Sequence, residues 1–432
     1  MSWLILWIAL FFSFAFMRIP IALAIGMAAV IVMGLAGIPH GLVPSVSFAS
    51  LDQFPFLAIP FFLYAGDLMV SGRISDSLIR FTDSVVGRLR GSLGATVVFG
   101  SMLFGTVSGS SIATVSAIGT VMMPELLRGG YDRRYATALI SSSGFLGVLI
   151  PPSVPGIVYA ISSGQSVADV WISTVGAAFL VAAGYLLVNH LVYGRSLPRN
   201  QTPFYFGQYV KGIAGSFREA ILGILMPMII FGGVYGGICT PTEAGAVAVA
   251  YGIVILFIST RKETNRIKNF LALSRKTAVS SASICIIIAF ASVAGRMIVS
   301  LHIPDNLTAF ITSYTTSPIV FLLLVNVLLL ILGTFMETNT SILITAPILV
   351  PVAKSFGIDP IHFGAILLLN LEIGMITPPF AANLFVGCRI GNISMDKVIR
   401  PLLPFFIVLI PVLLIITYVP WVSLFLVKLL AR

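Results

Sequence analysis

GTVSGSS, residues 105–111, and GVLIPPS, residues 147–153, bracket the stretch from which the fold is read. The first is a cluster of small hydroxyl residues inside apolar sequence, and in the second a double proline cuts an apolar run in two. Proline lacks the backbone donor and clashes with the preceding turn, so residues 147–152 are predicted to unwind and leave carbonyl oxygens without helical partners. At membrane depth such backbone is tolerated only where it faces protein, water or an ion. The same grammar returns half a chain later, as GTFMETNT at 333–340 and GMITPPF at 374–380. Interruptions at corresponding positions of two halves point to the binding site of a secondary transporter.

Composition agrees. Of 432 residues, 58% are hydrophobic and 9% charged, and the mean hydropathy is +1.06. A soluble globule needs more polar surface, so the chain is read as an all-α polytopic membrane protein embedded in a lipid bilayer. The net charge of +10 sits in short connectors between apolar runs, the pattern of membrane orientation, and no nucleic-acid partner is expected. Cys239, Cys285 and Cys388 have no CxxC spacing, which implies neither a disulfide framework nor a zinc site. The first apolar run lacks a basic leader and a small-residue cleavage site, so it is read as a span of the mature chain.

Apolar runs predict spans at 3–17, 19–36 and 54–70, then an amphipathic arm at 72–90. Runs at 93–104 and 112–127 are short for a crossing and read as a re-entrant hairpin with GTVSGSS at its tip. Residues 135–150 and 154–161 are two halves of one broken helix, 170–193 is a span, and 194–215 is a connector. The plan then repeats with spans at 220–237, 244–258 and 279–301, the first two followed by a basic connector, and an arm at 303–316. A second hairpin at 319–332 and 342–353, a second broken helix at 361–377 and 380–390, and a last span at 401–430 complete it.

The repeat holds residue by residue. AGDLMVSGRISDSL at 65–78 and AGRMIVSLHIPDNL at 294–307 agree in seven of fourteen columns. Ala65 to Ala294, Gly105 to Gly333 and Gly147 to Gly374 are offset by 229, 228 and 227 positions, so unusual residues keep register. Charge orients the copies. Arg18, the first arm (Arg73, Arg80, Arg88, Arg90), the hairpin base (Arg128, Arg133, Arg134) and the central connector (Arg195, Arg199, Lys211, Arg218) fall on one face. With Arg261, Lys262, Arg266, Lys268, Arg275, Lys276, Arg389, Lys397 and Arg400, that face holds 21 of the 25 basic residues and is assigned to the cytoplasm. The second arm has no Lys or Arg and falls opposite, so the copies are expected to be inverted, with both termini outside.

RIPIALAIG at 18–26, the GTVSGSS tip, LIPPS, CTPTEAGAVAVAYG at 239–252, GTFMET and NLEIGMITPPFAANLFV at 370–386 occur in one order along the whole chain. In this the sequence resembles the large, DctM-type membrane subunit of TRAP transporters, the tripartite ATP-independent periplasmic family. The resemblance implies an inverted-repeat, elevator-type fold in the bacterial inner membrane. It further implies sodium-coupled import of an organic acid delivered by a periplasmic substrate-binding protein, with a small membrane subunit of about four spans. Glu337 departs from the pattern, where Asp is more usual. The expected parts are scaffold and arm in 1–92, a transport unit in 93–161, span and connector in 162–218, a second scaffold and arm in 219–316, a second transport unit in 317–391 and a final span in 392–432.

Sodium, the implied coupling ion, takes several hard oxygen ligands, which hydroxyls and freed carbonyls supply. The expected ion ligands are Ser108 and Ser110 with the carbonyls of Gly147, Ile150 and Pro152, and in the other copy Gly333, Gly374, Thr377 and Pro379. The competing account is that these small residues serve only close packing and turns. Ser110, Ser111, Ser153, Glu337, Thr338 and Asn383 are the expected substrate contacts, with Glu337 alternatively a turn cap and Asn383 alternatively a partner of freed backbone. Asp67 and Arg296 share a repeat column with opposite charge; the two are expected to meet near the pseudo-twofold, or Arg296 to attract an acidic substrate, or Arg296 to snorkel from a scaffold helix, and Glu243 and Glu372 are similar cases. Trp3, Trp7, Trp171 and Trp421 are read as interfacial anchors. No organic cofactor is implied, and without HExxH or GxSxG an intramembrane enzyme is disfavoured. A self-sufficient sodium-coupled dicarboxylate or citrate carrier of related architecture is the alternative. The acid itself is left open among sialic acids, C4-dicarboxylates, sugar acids and keto acids.

Overall fold

The computed structural model describes residues 2–72, 74–87, 91–194, 206–261 and 265–430. Arg73, Arg88, Arg90, Arg195, Arg199 and Lys262 of the charge pattern, and residues 195–205 of the central connector, lie outside these. Every described element is a helix, the element that satisfies its own backbone in hydrocarbon. Among the described residues seven helices are long and apolar enough to cross a bilayer alone, and Arg133–Leu149 with Val154–Ser163, bent by 48°, is long and apolar enough as a pair.

Two hairpins stand out. Ser92–Ser108 turns into Ser111–Arg128, and Pro318–Phe335 turns into Thr338–Ser355. Their turns are tighter than the sequence suggests: helix runs through Ser108 and resumes at Ser111, and the second turn is only Met336 and Glu337. Gly109 makes the first turn with φ +61°, a left-handed conformation that glycine adopts without a Cβ penalty. Each hairpin is followed by a broken helix. Leu146–Leu149 is separated from Val154–Ser163 by an extended Ile150 and two prolines, and Pro360–Gly374 from Ala382–Gly391 by residues 375–381. Both Pro–Pro bonds are cis.

Five crossings lie between the hairpins: the first broken helix, Val167–Val192, Tyr209–Tyr235, Pro241–Ser259 and Arg266–Ser300. An odd number puts the two hairpins on opposite faces, so the copies are inverted. Pro241–Ser259 packs on Ala58–Ser71, Phe206–Tyr235 on the arm Ile74–Val86, and Arg266–Ser300 on Ile21–Leu35 and Leu42–Leu51. The hairpin units interlock across the repeats. Val154–Ser163 of the first copy packs on Thr338–Ser355 of the second, and Ala382–Gly391 of the second packs on Ser111–Arg128 and Arg133–Ser143 of the first. Small residues permit these crossings: Gly387 lies over Ser141, Gly119 over Ile390 and Gly364 over the Tyr159 ring.

Several expectations need correction. Leu42–Leu51 is a helix the apolar runs do not announce. The long helix begins at Arg266, because the basic stretch is rich in Leu, Ala, Lys and Arg, which favour helix. The final run is two helices, Asp396–Tyr418 and Pro420–Leu430; Pro420 disfavours helical backbone at the preceding residue, and Val419 adopts φ −120°, ψ 80°. Trp7 and Trp171, each 1% exposed, are core residues rather than interfacial anchors. The Trp171 indole packs edge-on to Phe62 and donates its N–H to a backbone carbonyl inside the protein.

Candidate ion and substrate site

The first break is held open by its neighbours. Pro151 and Pro152 have no N–H to offer the carbonyls of Gly147 and Val148, four residues earlier. Leu149 O instead accepts the Thr174 hydroxyl at 2.7 Å, and Ser153 O accepts the Trp171 indole N–H at 2.9 Å. The carbonyls of Ile150 and Pro152 accept no backbone hydrogen bond among the described residues. Ser153 caps the next helix, its hydroxyl accepting Gly156 N–H at 3.1 Å. The hairpin tip lies directly on the break: Val154 N–H donates to Gly109 O at 3.5 Å, and a Cβ on Gly109 would stand 3.2 Å from Pro152 O.

A glycine pair brings hairpin and broken helix into backbone contact. A Cβ on Gly105 would fall 1.7 Å from Gly147 Cα. The second copy repeats this with Gly333 and Gly374, where a Cβ on Gly374 would lie 2.5 Å from Gly333 Cα. Gly147, Gly333 and Gly374 were expected as ion ligands; in the structure they bring hairpin and broken helix into close backbone packing, with Gly105 as the fourth member.

The first tip is internally bonded. Ser108 Oγ lies 3.1 Å from Thr114 Oγ1, Thr114 donates to Ser110 O at 2.8 Å, and Ser110 Oγ accepts Ala113 N–H at 3.4 Å. At the second tip Glu337 is the helix cap, accepting Thr340 N–H at 3.3 Å and the Asn339 side-chain amide at 2.6 Å. In the second break Thr377 donates its hydroxyl to Ile373 O at 2.8 Å, and its N–H to Gly374 O at 2.9 Å. The carbonyls of Gly333 and Pro379 accept no backbone hydrogen bond among the described residues.

Both tips meet at Glu372, a residue absent from the expected ion and substrate contacts. Glu372, 1% exposed, accepts the Thr338 hydroxyl from the second tip at 2.9 Å on Oε1. Ser111, the first residue after the first tip, stands beside the same carboxylate. Its Oε2 has no hydrogen-bond partner, and no Lys, Arg or His forms an ion pair with it among the described residues. Asn383, fully buried beyond the second break, donates its backbone N–H to Met375 O at 3.0 Å, while its side-chain Oδ1 and Nδ2 have no partner. Its amide therefore does not pair with the freed backbone. A buried carboxylate and amide left with unsatisfied atoms are costly in a low-dielectric interior, and a bound cation or polar ligand would satisfy them. Among the described residues no three of His, Cys, Asp and Glu gather as a metal cluster, so an ion here would rest on hydroxyls, carbonyls and one carboxylate.

Asp67 and Arg296 do not meet. Asp67 accepts Thr277 Oγ1 at 2.6 Å and lies 3.4 Å from Lys276 Nζ. Glu243 does not snorkel but closes a capping box with Thr240.

Residues 8–422 match the family described as the tripartite ATP-independent periplasmic transporter, DctM component. The chain is 35% identical over 417 residues to the isethionate TRAP transporter permease protein DctMQ of Oleidesulfovibrio alaskensis, covering 96% of this chain and 65% of that protein. It is 38% identical over 379 residues to the C4-dicarboxylate TRAP transporter large permease protein DctM of Pseudomonas aeruginosa, covering 87% of each. In fold it is similar to the YdaH transporter of Alcanivorax borkumensis, with a TM-score of 0.60 over 87% of each chain at 18% identity. The chain belongs to the DctM family, the large permease component of TRAP transporters.

Proposed function

We propose that the chain is the substrate-translocating subunit of a sodium-coupled TRAP transporter that imports an organic acid across the bacterial inner membrane. The basic face is cytoplasmic and both termini are periplasmic. A small membrane subunit and a periplasmic binding protein that delivers the acid complete the system. The observation that carries this reading is the meeting of two inverted hairpin tips at the buried, half-satisfied Glu372, beside two interrupted helices.

In this reading one sodium ion is bound by the carbonyls of Gly147, Ile150 and Pro152 with Ser108 and Ser110, and another by Gly333, Gly374, Thr377 and Pro379. Glu372 balances the cationic charge. The acid lies between the tips, where Ser110, Ser111, Ser153, Glu337, Thr338 and Asn383 supply polar contacts. Sodium neutralises the carboxylate and fixes the tips, which creates the cavity for an anion and couples the two fluxes.

The moving body comprises residues 93–161 and 317–391. Hydrogen bonds from Asn326 to Thr417 at 3.0 Å and from Asn370 to Asn326 at 2.8 Å attach Asp396–Tyr418 to the same body. The frame contains Ala58–Ser71, Phe206–Tyr235, Pro241–Ser259 and Arg266–Ser300, and the two arms couple frame to carriage. Proteoliposomes containing both membrane subunits and the binding protein provide the test. Inward sodium gradients are expected to drive uptake of the acid; equal uptake with potassium would refute sodium coupling, and equal uptake without the binding protein would favour the self-sufficient carrier.

A further inference from the structure

The repeat column shared by Asp67 and Arg296 is chemically asymmetric. Asp67 is neutralised by Lys276 and bonded to Thr277, whereas Arg296, exposed one turn before the outer end of Arg266–Ser300, has no hydrogen-bond or ion-pair partner among the described residues. Arg296 lines a cavity of about 340 Å³ with Ser292, Gln53, Ser162, Leu343 and Pro347. One wall is frame, the other is the outer end of the first broken helix and the second hairpin. A neighbouring cavity of about 410 Å³ shares Gln53 and Ile161 and is bordered by Gln165, Ser166, Thr240 and Thr242. Arg296 is the charged side chain in the two linings.

We propose that this cleft is the outer vestibule of the transport path, with Arg296 as the residue that captures the anionic head of the incoming acid; the inference rests on the import reading above. A guanidinium presents a rigid fork that matches a carboxylate or sulfonate, and a lone cation in a low-dielectric cleft focuses the field that draws an anion in. A volume of this size suits a small organic acid. Ser292 lies one helical turn from Arg296, on the same face, and adds a hydroxyl beside the fork. The related position on the inner side carries a paired acid, which offers a departing anion no binding site. Capture therefore acts on one face only. Because the second wall belongs to the moving body, the vestibule changes shape as that body slides, and the acid passes from Arg296 towards the tips.

The test compares wild type, Arg296→Gln and Arg296→Lys in proteoliposomes with both membrane subunits and the binding protein, using succinate and isethionate as probes. For the transported probe, Arg296→Gln is expected to raise KM about tenfold with little change in kcat, and Arg296→Lys to fall between, since it keeps the charge and loses the fork. In the same vesicles saturating acid should protect Arg296 from phenylglyoxal, read by peptide mass spectrometry. An unchanged KM in Arg296→Gln beside an active wild type overturns the proposal. Equal shielding with and without acid assigns Arg296 to a lipid headgroup and overturns it too. So does weakened docking of the acid-free binding protein to Arg296→Gln, which would make Arg296 a protein contact. Absence of sodium-driven uptake of every acid in a wider panel by wild type would instead refute the import reading, and this inference with it.

Discussion

Substituting Gly105 by alanine is the sharpest test of how hairpin and break are joined. The added Cβ would sit 1.7 Å from Gly147 Cα and 2.6 Å from its carbonyl carbon, and both are backbone atoms that no rotamer change can remove. Ordinary contact begins near 3.4 Å, so the two backbones must part by about 1.7 Å. The Val154 N–H to Gly109 O bond, already 3.5 Å long, cannot survive that separation, and Ser111 is drawn away from Glu372. Overpacking costs about 1–3 kcal/mol and the lost hydrogen bond about 1 kcal/mol, against about 1 kcal/mol gained from alanine's helix propensity. A net loss of about 1–3 kcal/mol is expected in thermal unfolding, and apparent sodium affinity should fall about tenfold or more, at 1.4 kcal/mol per decade. Gly232→Ala is the control, since its Cβ meets nothing within 4 Å. Gly333→Ala, whose nearest contact is 2.8 Å from Leu371 O, should be milder than Gly105→Ala. If Gly105→Ala matches Gly232→Ala in both unfolding and sodium-dependent uptake, the backbone contact does not support the site and the reasoning fails.

Glu372→Gln keeps an acceptor for Thr338 but removes a buried charge whose desolvation costs several kcal/mol. The sodium-free variant should therefore unfold at a higher temperature than wild type and show no further rise on adding sodium; a wild-type sodium response would exclude Glu372 from the ion site. Thr417→Val removes the hydroxyl that accepts from Asn326 and leaves that buried amide short of a partner, which should cost about 1–3 kcal/mol in thermal unfolding; a neutral result would mean that this link does not bind the last long helix to the second hairpin. Cysteine pairs between Arg266–Ser300 and Thr338–Ser355, elements in contact here, should cross-link to different extents with and without sodium and acid. Cross-linking that never varies would rule out sliding of one against the other.

The breaks were legible because a double proline has one physical meaning in an apolar run, and the inversion because charge and register agree over unusual residues. What the sequence left hidden has specific causes. Glu372 looks in sequence like any lone acid near a helix end; only the fold brings Thr338 and Ser111 to it from two distant hairpins. A usable signal was present, since it stands two residues before the glycine of the second break, with no Lys or Arg from 360 to 374 to pair with it. Glu337 and Ser153 cap helices, which is compatible with sequence but not distinguishable there from ligand duty. Trp171 sits near a span end in sequence, yet its indole donates to Ser153 O at the first break, a carbonyl that also accepts Ile157 N–H, and this contact is set by the fold. The register of the repeat was visible, while the exchange of helices between its copies was not, since it is set by packing at Gly119, Gly364 and Gly387.

That exchange bears on whether either half is stable alone. With Val154–Ser163 resting on Thr338–Ser355, and Ala382–Gly391 resting on Ser111–Arg128, each copy covers apolar surface that belongs to the other. Neither half has a complete core by itself, much as one half of a clasp closes nothing. A gene severed at the central connector should yield two polypeptides that accumulate only when expressed together, as expected of two halves that each close the other's core.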